Sequence, residues 1–305
     1  MHHLKRREEI VLAPEYESQS AGFERAALVD GSTGSVHMGL GLCRLEDGHV
    51  ETHVHSFEES FYVLEGTPTL YLDGRGIALL PGACGVVPVG VPHAWRVDDG
   101  TGTWIDMMAP QPRRPGVGQP DTFFVGGPPS GSPSQLDVRD PRNRNLFRLD
   151  DWQMDVDELK LGAAVDQPTV SASMATALLA YSGIAVKMLV DKRLDAQLHT
   201  MFMVQYQETG MALPHDHPFE ESYYMLEGEV DVVADDVRYS LRPGDAFWTG
   251  VGCIHSFYNT RRNRVKWLET SAPGPPDRYS YRFNRDWDYL VTRLESERDL
   301  DQTTR

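Results

Sequence analysis

One pattern of histidine, glutamate and glycine occurs twice in the sequence, and this repeat constrains the fold more than any other feature. Residues 57–66 read FEESFYVLEG and residues 219–228 read FEESYYMLEG. The wider pattern, G-x4-H-x-H-x3-E-x6-G followed fifteen residues later by a second glycine- and histidine-containing segment, recurs at a constant separation of 162 residues. Two motifs that repeat with the same internal spacing indicate a duplicated domain rather than chance.

Histidine and glutamate occupy corresponding positions in the two copies. Residues two apart on a β-strand point to the same face, so the two histidines of each H-x-H pair project together. The glutamate follows at even spacing, and the last histidine arrives from a later strand. Three imidazoles and one carboxylate suit a divalent transition metal and leave two positions open on a six-coordinate ion. The candidate ligands are His53, His55, Glu59 and His93 in the first copy and His215, His217, Glu221 and His255 in the second.

The repeated pattern, continued by G-x5-P-x-G-x2-H-x3-N, resembles that of the cupin superfamily, and its two copies resemble a bicupin. The resemblance implies an all-β fold of two tandem jelly-roll barrels, or double-stranded β-helices, with a few short helices and a metal ion in each barrel. The chain departs from the pattern only at positions that are not ligands. The first glycine stands one residue closer to the histidine pair than is usual, Val97 replaces the terminal asparagine in the first copy, and Gly250 replaces the proline in the second.

Short apolar segments separated by turn residues also favour a barrel. Residues 173–182 fit either a short helix or a buried strand, and residues 284–298 predict a C-terminal helix. In the first half, we expect strands near 59–65, 68–73, 75–80, 84–88, 93–98 and 103–109, with turns at Asp73-Gly74, Pro81-Gly82 and Asp99-Gly100.

Residues 111–145 are rich in proline, glycine and serine, a composition typical of a linker. We therefore expect an N-terminal domain at 1–110, which includes a polar arm, and a C-terminal domain at 146–305. The arm is expected to lie across the other domain or a partner subunit. Phe123 and Phe124 should dock on a barrel despite their place in the linker.

The composition of the chain limits the classes of molecule that it is expected to bind. The net charge of −16 and a pI of about 5.1 disfavour nucleic acid, because phosphate binding needs a positive surface. The sequence has no apolar run of the length needed to span a membrane. Three cysteines without a CxxC motif fit buried thiols in a reducing, cytoplasmic location. We expect a small-molecule substrate, no nucleic acid or membrane partner, and a homodimer.

The ligand set resembles that of quercetin dioxygenases and other cupin dioxygenases, which implies a dioxygenase-type oxidoreductase that holds a small, oxygen-rich substrate on iron or manganese. Nickel and zinc are the alternative metals. Lewis-acid isomerisation, decarboxylation or aminohydrolysis, as in bicupins resembling oxalate decarboxylase, is a second hypothesis. Gentisate-type dioxygenases match this ligand set less well, because they lack the glutamate ligand. A third hypothesis is a binding module without catalysis.

Strand parity and side-chain chemistry predict the roles of several residues outside the ligand set. Glu58 and Glu220 precede the ligand glutamates, so they should face outward as solvent or interface charges rather than act as acids. Tyr224 is the candidate proton donor, because a buried hydroxyl needs a partner. His37 and His199 correspond under the repeat and are either core residues or pocket-lining ones. We favour the second copy as the catalytic one.

Overall fold

Two β-barrels follow one another along the chain in the computed structural model, which describes residues 1–113, 120–154, 169–170, 176–179, 183–274 and 282–283. The all-β fold is therefore confirmed. Within the described ranges, no helix is long and apolar enough to cross a membrane. The C-terminal helix predicted at 284–298 lies outside them. The helical segments described are single turns at Arg7–Glu9, Pro141–Asn143, Asp151–Met154 and Lys192–Leu194.

The first barrel is built from one curled sheet of twelve described strands. Its central strand, β4, is long enough to pair with β3 at its start and to carry the first H-x-H pair at its end. The strands, with β1 from the arm, are β1 (His2–Lys5), β2 (Ala13–Pro14), β3 (Ser20–Val29), β4 (Gly39–His55), β5 (Glu58–Glu65), β6 (Thr69–Leu72), β7 (Arg75–Ala78), β8 (Ala83–Val87), β9 (His93–Arg96), β10 (Thr101–Ala109), β11 (Thr122–Phe124), β12 (Ser134–Gln135) and β13 (Leu146–Arg148).

The second barrel repeats this arrangement with two sheets. One contains eight described strands in the order β1-β22-β19-β24-β17-β16-β15-β14, and the other contains five in the order β21-β20-β23-β18-β25. The described part of 173–182 is thus a strand rather than a helix. The strands are β14 (Thr169–Val170), β15 (Thr176–Leu179), β16 (Ile184–Val190), β17 (Thr200–Tyr206), β18 (Met211–Asp216), β19 (Glu220–Glu227), β20 (Val230–Ala234), β21 (Val237–Leu241), β22 (Ala246–Thr249), β23 (His255–Tyr258), β24 (Val265–Ala272) and β25 (Arg282–Phe283).

Alternation along β5 and β19 separates the barrel interiors from the contact between the barrels. Phe61 belongs to the core of the first barrel and Tyr223 to that of the second. Their neighbours Tyr62 and Tyr224 point to the opposite face and join a third cluster shared by both barrels, which also contains Trp248. A strand buried on both faces explains why these segments read as almost continuous apolar runs.

Segments outside the repeats cover the barrel edges. The arm strand β1 pairs with β22 of the second barrel, so the predicted crossing of the arm to the other domain is present. Residues 146–148, which we expected to begin the second domain, pair instead with β8 of the first barrel. The expected linker also contributes β11, which pairs with the ligand end of β4. Phe124 packs against the first core, whereas Phe123 is 42% exposed.

Glu58 and Glu220 each accept hydrogen bonds from the backbone of the other barrel. Glu58 accepts from the backbone nitrogens of Gln197 (2.7 Å) and Leu198 (2.8 Å), and Glu220 accepts from that of Val36 (2.9 Å). Both carboxylates are almost fully buried, so they are interface charges rather than solvent ones. The carboxylate of Glu58 also lies 3.1 Å from His199, which is fully buried at this contact and not in a metal-site pocket.

Candidate metal centres

The first candidate centre lies at one end of the first barrel, where three strands meet. β4 carries His53 and His55, β5 carries Glu59, and β9 carries His93, and all four side chains are buried. Their ligand atoms lie within 4.8 Å of one another. The carboxylate oxygen of Glu59 is 3.0 Å from Nε2 of His93 and 3.3 Å from Nε2 of His55. The structure therefore brings together the four residues that the first motif predicts.

Backbone carbonyls orient two of these imidazoles. Nδ1 of His53 donates to the carbonyl of Glu51 (2.7 Å), and Nδ1 of His93 donates to that of Val91 (3.0 Å). A nitrogen that donates to a carbonyl carries the ring proton of the neutral form, which leaves Nε2 with a free lone pair. Outer hydrogen bonds of this kind fix the ring and tautomer of metal-binding histidines.

Electrostatics at the first centre favour neutral imidazoles around an ionised carboxylate. Burial, followed by the neighbours His93 and His55, lowers the pKa of His53 to about 3. Burial opposes ionisation of Glu59, but its contacts with the His55 and His93 imidazoles outweigh burial and hold the pKa of Glu59 well below its usual range. This is the protonation state that binds a cation.

A small cavity adjoins the first centre inside the barrel. It measures about 20 Å³, enough for one water molecule, and is lined by His53, His55 and Glu59 together with Arg25, Asp106 and Trp95. Arg25 forms a two-pronged ion pair with Asp106, with bonds of 2.6 and 2.8 Å. The charge of this arginine is therefore neutralised by a carboxylate that is 2% exposed.

Two segments cover the outside of the first centre. The ring of Tyr16 lies 6.1 Å from that of His53 and 5.2 Å from that of Phe124, which itself lies 5.3 Å from His53. The Thr122 hydroxyl is 3.0 Å from Nδ1 of His55 and 3.4 Å from the Tyr16 hydroxyl. Tyr16 has a φ of +58°, a conformation that costs energy in a non-glycine residue and that only surrounding packing sustains.

The second candidate centre has the same plan with a different spacing. Ligand atoms of His217, Glu221 and His255 lie within 4.8 Å of one another. The ring of the fourth candidate, His215, is 4.4 Å from that of His255 but 6.3 Å from that of His217. The corresponding rings in the first barrel, His53 and His55, are 4.8 Å apart. In the second centre, His215 therefore lies farther from its H-x-H partner than His53 does in the first.

A tyrosine hydroxyl is a further difference between the two centres. Tyr223 donates to Oε2 of Glu221 (2.6 Å) and lies 3.0 Å from Nε2 of His255, while Glu221 and His255 are separated by 3.7 Å. The predicted proton donor was Tyr224, but that residue lies on the opposite face of β19, in the cluster between the barrels. Its parity is that of Glu220 and not of the ligand Glu221, and this parity was the signal that would have selected Tyr223.

All three histidines of the second centre are oriented by backbone carbonyls. Nδ1 of His215 donates to the carbonyl of Leu213 (2.6 Å), that of His217 to Phe219 (2.7 Å) and that of His255 to Cys253 (3.0 Å). Each Nε2 is thereby left for the interior of the site.

At the second centre, the pKa values of two histidines are shifted in opposite directions. Burial, followed by the charge of His255, lowers the pKa of His215 to about 4. Burial also opposes protonation of His217, but Glu221 outweighs it and raises the pKa of His217. The Nε2 of His217 is 2.8 Å from Glu221, so a proton bridges the two groups when no metal ion does.

A second buried carboxyl stands opposite each centre, and sequence reasoning missed both. Asp106 pairs across the sheet with Phe61, and Glu269 pairs with Tyr223. Burial, then the charge of Glu221, holds the pKa of Glu269 well above its usual range, so this carboxyl keeps its proton. Its carboxyl accepts a 2.8 Å hydrogen bond from the Trp267 indole. The first barrel thus neutralises its acid with an arginine, and the second does so with a proton.

The donor sets fit a divalent transition metal. In each centre, Nε2 atoms face a carboxylate at 2.8–3.3 Å, so the space between them suits either a shared proton or a metal cation. Three imidazoles and a carboxylate suit iron, manganese, nickel or zinc better than magnesium or calcium, which prefer oxygen ligands. The metal would be held by the candidate ligands of each barrel.

Comparison with known proteins supports the repeat and the fold. The family described as Cupin domain matches residues 41–108 and 202–271. Among curated proteins, no significant match is found. The structure is similar to that of salicylate 1,2-dioxygenase from Pseudoaminobacter salicylatoxidans with gentisate (TM-score 0.68, 14% identity, covering 89% of this chain and 81% of that one). It is also similar to oxalate decarboxylases from Lactobacillus farciminis (0.60, 15%, 93% and 89%) and Bacillus subtilis (0.60, 14%, 93% and 78%). At these identities the likeness concerns the fold.

Proposed function

Since the chain belongs to the cupin superfamily and carries two cupin domains in tandem, we propose that it is a metal-dependent enzyme, a dioxygenase-type oxidoreductase acting on a small, oxygen-rich substrate. The observation that carries this proposal is the convergence of His53, His55, Glu59 and His93 on one point, with Nδ1 of His53 and of His93 held by backbone carbonyls. A binding module without catalysis has no need for two sets of buried, desolvated ligands.

An iron or manganese ion held by these ligands would supply Lewis acidity and one-electron redox chemistry. The protein would supply orientation and exclusion of water. In the first barrel, Tyr16, Phe124 and Trp95 surround the ligands with aromatic surface, the usual lining of a small-molecule site. Two coordination positions remain for the oxygen atoms of a bidentate substrate.

The second barrel adds a group that can exchange protons. Tyr223 holds its proton at neutral pH, because burial and the charge of Glu221 raise its pKa well above the usual range. Its hydroxyl is within hydrogen-bond distance of Glu221 and His255. A hydroxyl in this position can donate a hydrogen bond to an oxygen atom of the substrate or product, which supports our preference for the second barrel as the catalytic one.

Metal analysis and oxygen uptake test the proposal together. The barrels of the purified protein should together hold about two equivalents of transition metal, one in each. Alanine at both His53 and His55, or at both His215 and His217, should remove one equivalent each, and the pair whose loss abolishes turnover identifies the catalytic barrel. Tyr224→Phe is the control, since Tyr224 lies between the barrels.

The substrate panel separates the reaction classes. With diketones, catechols and hydroxyacids as substrates, a dioxygenase consumes one molecule of oxygen for each substrate molecule lost. Carbon dioxide release or isomerisation without net oxygen uptake would replace the dioxygenase with a Lewis-acid enzyme. A protein that carries no metal in either barrel would instead support the non-catalytic hypothesis.

A further inference from the structure

We propose that His2, Asp235 and Cys253 form a third metal site, outside both barrels, for a zinc-like divalent ion. The three residues come from separate elements: the arm strand β1, the turn between β20 and β21, and the loop before β23. Their ligand atoms lie within 4.8 Å of one another. The thiol is buried, His2 is mostly buried and Asp235 is partly open to solvent.

Hydrogen bonding leaves the His2 ring ready to bind a cation. Its Nε2 is 2.9 Å from the Tyr239 hydroxyl, and its Nδ1 is 3.5 Å from Oδ2 of Asp235. When Nε2 donates to the tyrosine, Nδ1 carries a lone pair that faces the carboxylate, as in the candidate centres of the barrels. An outer partner on the second ring nitrogen is the usual support of a histidine that binds metal.

The backbone around the three residues is tied together. The nitrogen of Asp235 donates to the carbonyl of Ile254 (2.9 Å), that of Cys253 to Gly250 (3.0 Å) and that of Gly250 to Met1 (2.9 Å). Arm, turn and loop are therefore fixed relative to one another before any ion binds. A site preorganised in this way loses little conformational freedom on binding.

A two-residue turn presents Asp235 to the other two ligands. Asp235 and Asp236 have φ values of +44° and +67°, and they join Ala234 and Val237 of a hairpin. Aspartate is among the residues that such turns accept. The turn therefore holds Asp235 in place beside His2 and Cys253.

The donor set defines the ion. A thiolate, an imidazole and a carboxylate suit zinc or cobalt(II) and disfavour magnesium and calcium, which select oxygen. A water molecule would complete four-coordination. Binding replaces the proton of the thiol with the ion.

Such an ion would join the arm to the second barrel and support the second centre. The carbonyl of Cys253 accepts the hydrogen bond from Nδ1 of His255, a candidate ligand. Fixing Cys253 therefore fixes the acceptor that orients His255. The third site is a structural one, distinct from both centres in residues and in chemistry.

Cobalt titration of the metal-depleted, full-length protein tests the site. Cobalt bound to a thiolate gives a near-ultraviolet charge-transfer absorption, whereas the ligand sets of the barrels consist of histidine and glutamate. We expect a band whose final intensity corresponds to about one thiolate-bound cobalt per chain, whatever amount the barrels also take up, and that Cys253→Ser abolishes. His2→Gln and Asp235→Asn should each weaken binding by at least about tenfold.

Matched variants make the result decisive. The band should persist in Cys43→Ser, in Cys84→Ser and in the protein with alanine at His215 and His217, because these positions lie outside the third site. The absence of a thiolate band in the wild-type protein would overturn the proposal. So would a band that survives Cys253→Ser, or one unaffected by both His2→Gln and Asp235→Asn. None of these outcomes depends on oxygen uptake.

Discussion

The hydroxyl of Tyr223 donates a 2.6 Å hydrogen bond to Glu221, whereas in the first barrel the residue two positions after the ligand glutamate is Phe61. The two copies of the motif thus hold their carboxylates differently. Glu59 touches two imidazoles directly, while the hydroxyl of Tyr223 lies between Glu221 and His255. Duplication has left two centres with the same ligands and unlike surroundings.

Replacing Tyr223 with phenylalanine should weaken the second centre alone. The change removes the hydrogen bond that positions Glu221, and losing such an outer partner lowers metal affinity by about tenfold to a hundredfold. Competition with a chelator, measured for each barrel in the background of alanine ligands in the other, reports the affinity. Tyr224→Phe should change neither barrel. Equal losses in both barrels would show a general effect on folding instead.

The metal-free protein should lose stability as the pH falls. An imidazole with a pKa of about 3 in the folded state, as at His53, takes up its proton near pH 6.5 when the chain unfolds. The unfolded state therefore binds more protons between these values, and the free energy of unfolding declines with the pH across this window. His215, with a pKa of about 4, acts in the same direction.

Denaturant unfolding of chelator-treated protein at several pH values measures this effect. His53→Gln should show a shallower decline than the wild type, because the variant has no imidazole to protonate at that position. Tyr224→Phe, which removes no imidazole, should keep the wild-type slope. A His53→Gln slope equal to that of the wild type would contradict the assignment of the acid sensitivity to this residue.

Arg25→Gln should destabilise the first barrel strongly, because it leaves Asp106 buried without its partner. Breaking a buried ion pair from one side costs about 3–5 kcal/mol, whereas replacing both partners with apolar residues costs much less. The double variant Arg25→Met with Asp106→Leu should therefore be more stable than Arg25→Gln. Urea unfolding of Arg25→Met, of Asp106→Leu and of the double variant that combines them gives the coupling free energy. Additive effects would argue against the pair as a unit.

Glu58→Gln should weaken the contact between the barrels. The amide cannot accept as strongly as the carboxylate from the backbone of Gln197 and Leu198, and hydrogen bonds to charged groups contribute about 1.5–3 kcal/mol. The exposed pair of Glu227 with Arg264 provides the control, since Glu227→Gln should cost less than about 1 kcal/mol. A loss no larger than that of the control would show that the interface does not depend on the Glu58 charge.

The sequence predicted the strands of the first barrel closely because turn residues mark their ends. Asp73 and Gly74 both have positive φ and separate β6 from β7, and Gly82 does the same before β8. Those conformations are local and favour particular residues. The candidate metal ligands could also be predicted from the sequence, because even spacing on a strand places His53 and His55 on one face.

Longer-range features could not be read in the same way. The sequence of residues 2–5 does not indicate that β22 is their pairing partner. The pairing of β13 with the first barrel depends on the path of the connecting segment, which the local sequence does not predict. The choice of Tyr224 was different, because parity was available and would have favoured Tyr223. The domain limits 1–110, 111–145 and 146–305, the homodimer and the cytoplasmic location stay predictions.

The pairing of β1 with β22 also sets an order of assembly. The ribosome makes residues 2–5 before the first barrel and residues 246–249 only after that barrel and most of the second. The β1 strand must therefore wait for its partner in β22 until the second barrel is largely translated. The second barrel is thus completed by a strand made before the first, and a bulky insertion next to residues 2–5 would disturb a barrel formed by residues far along the chain.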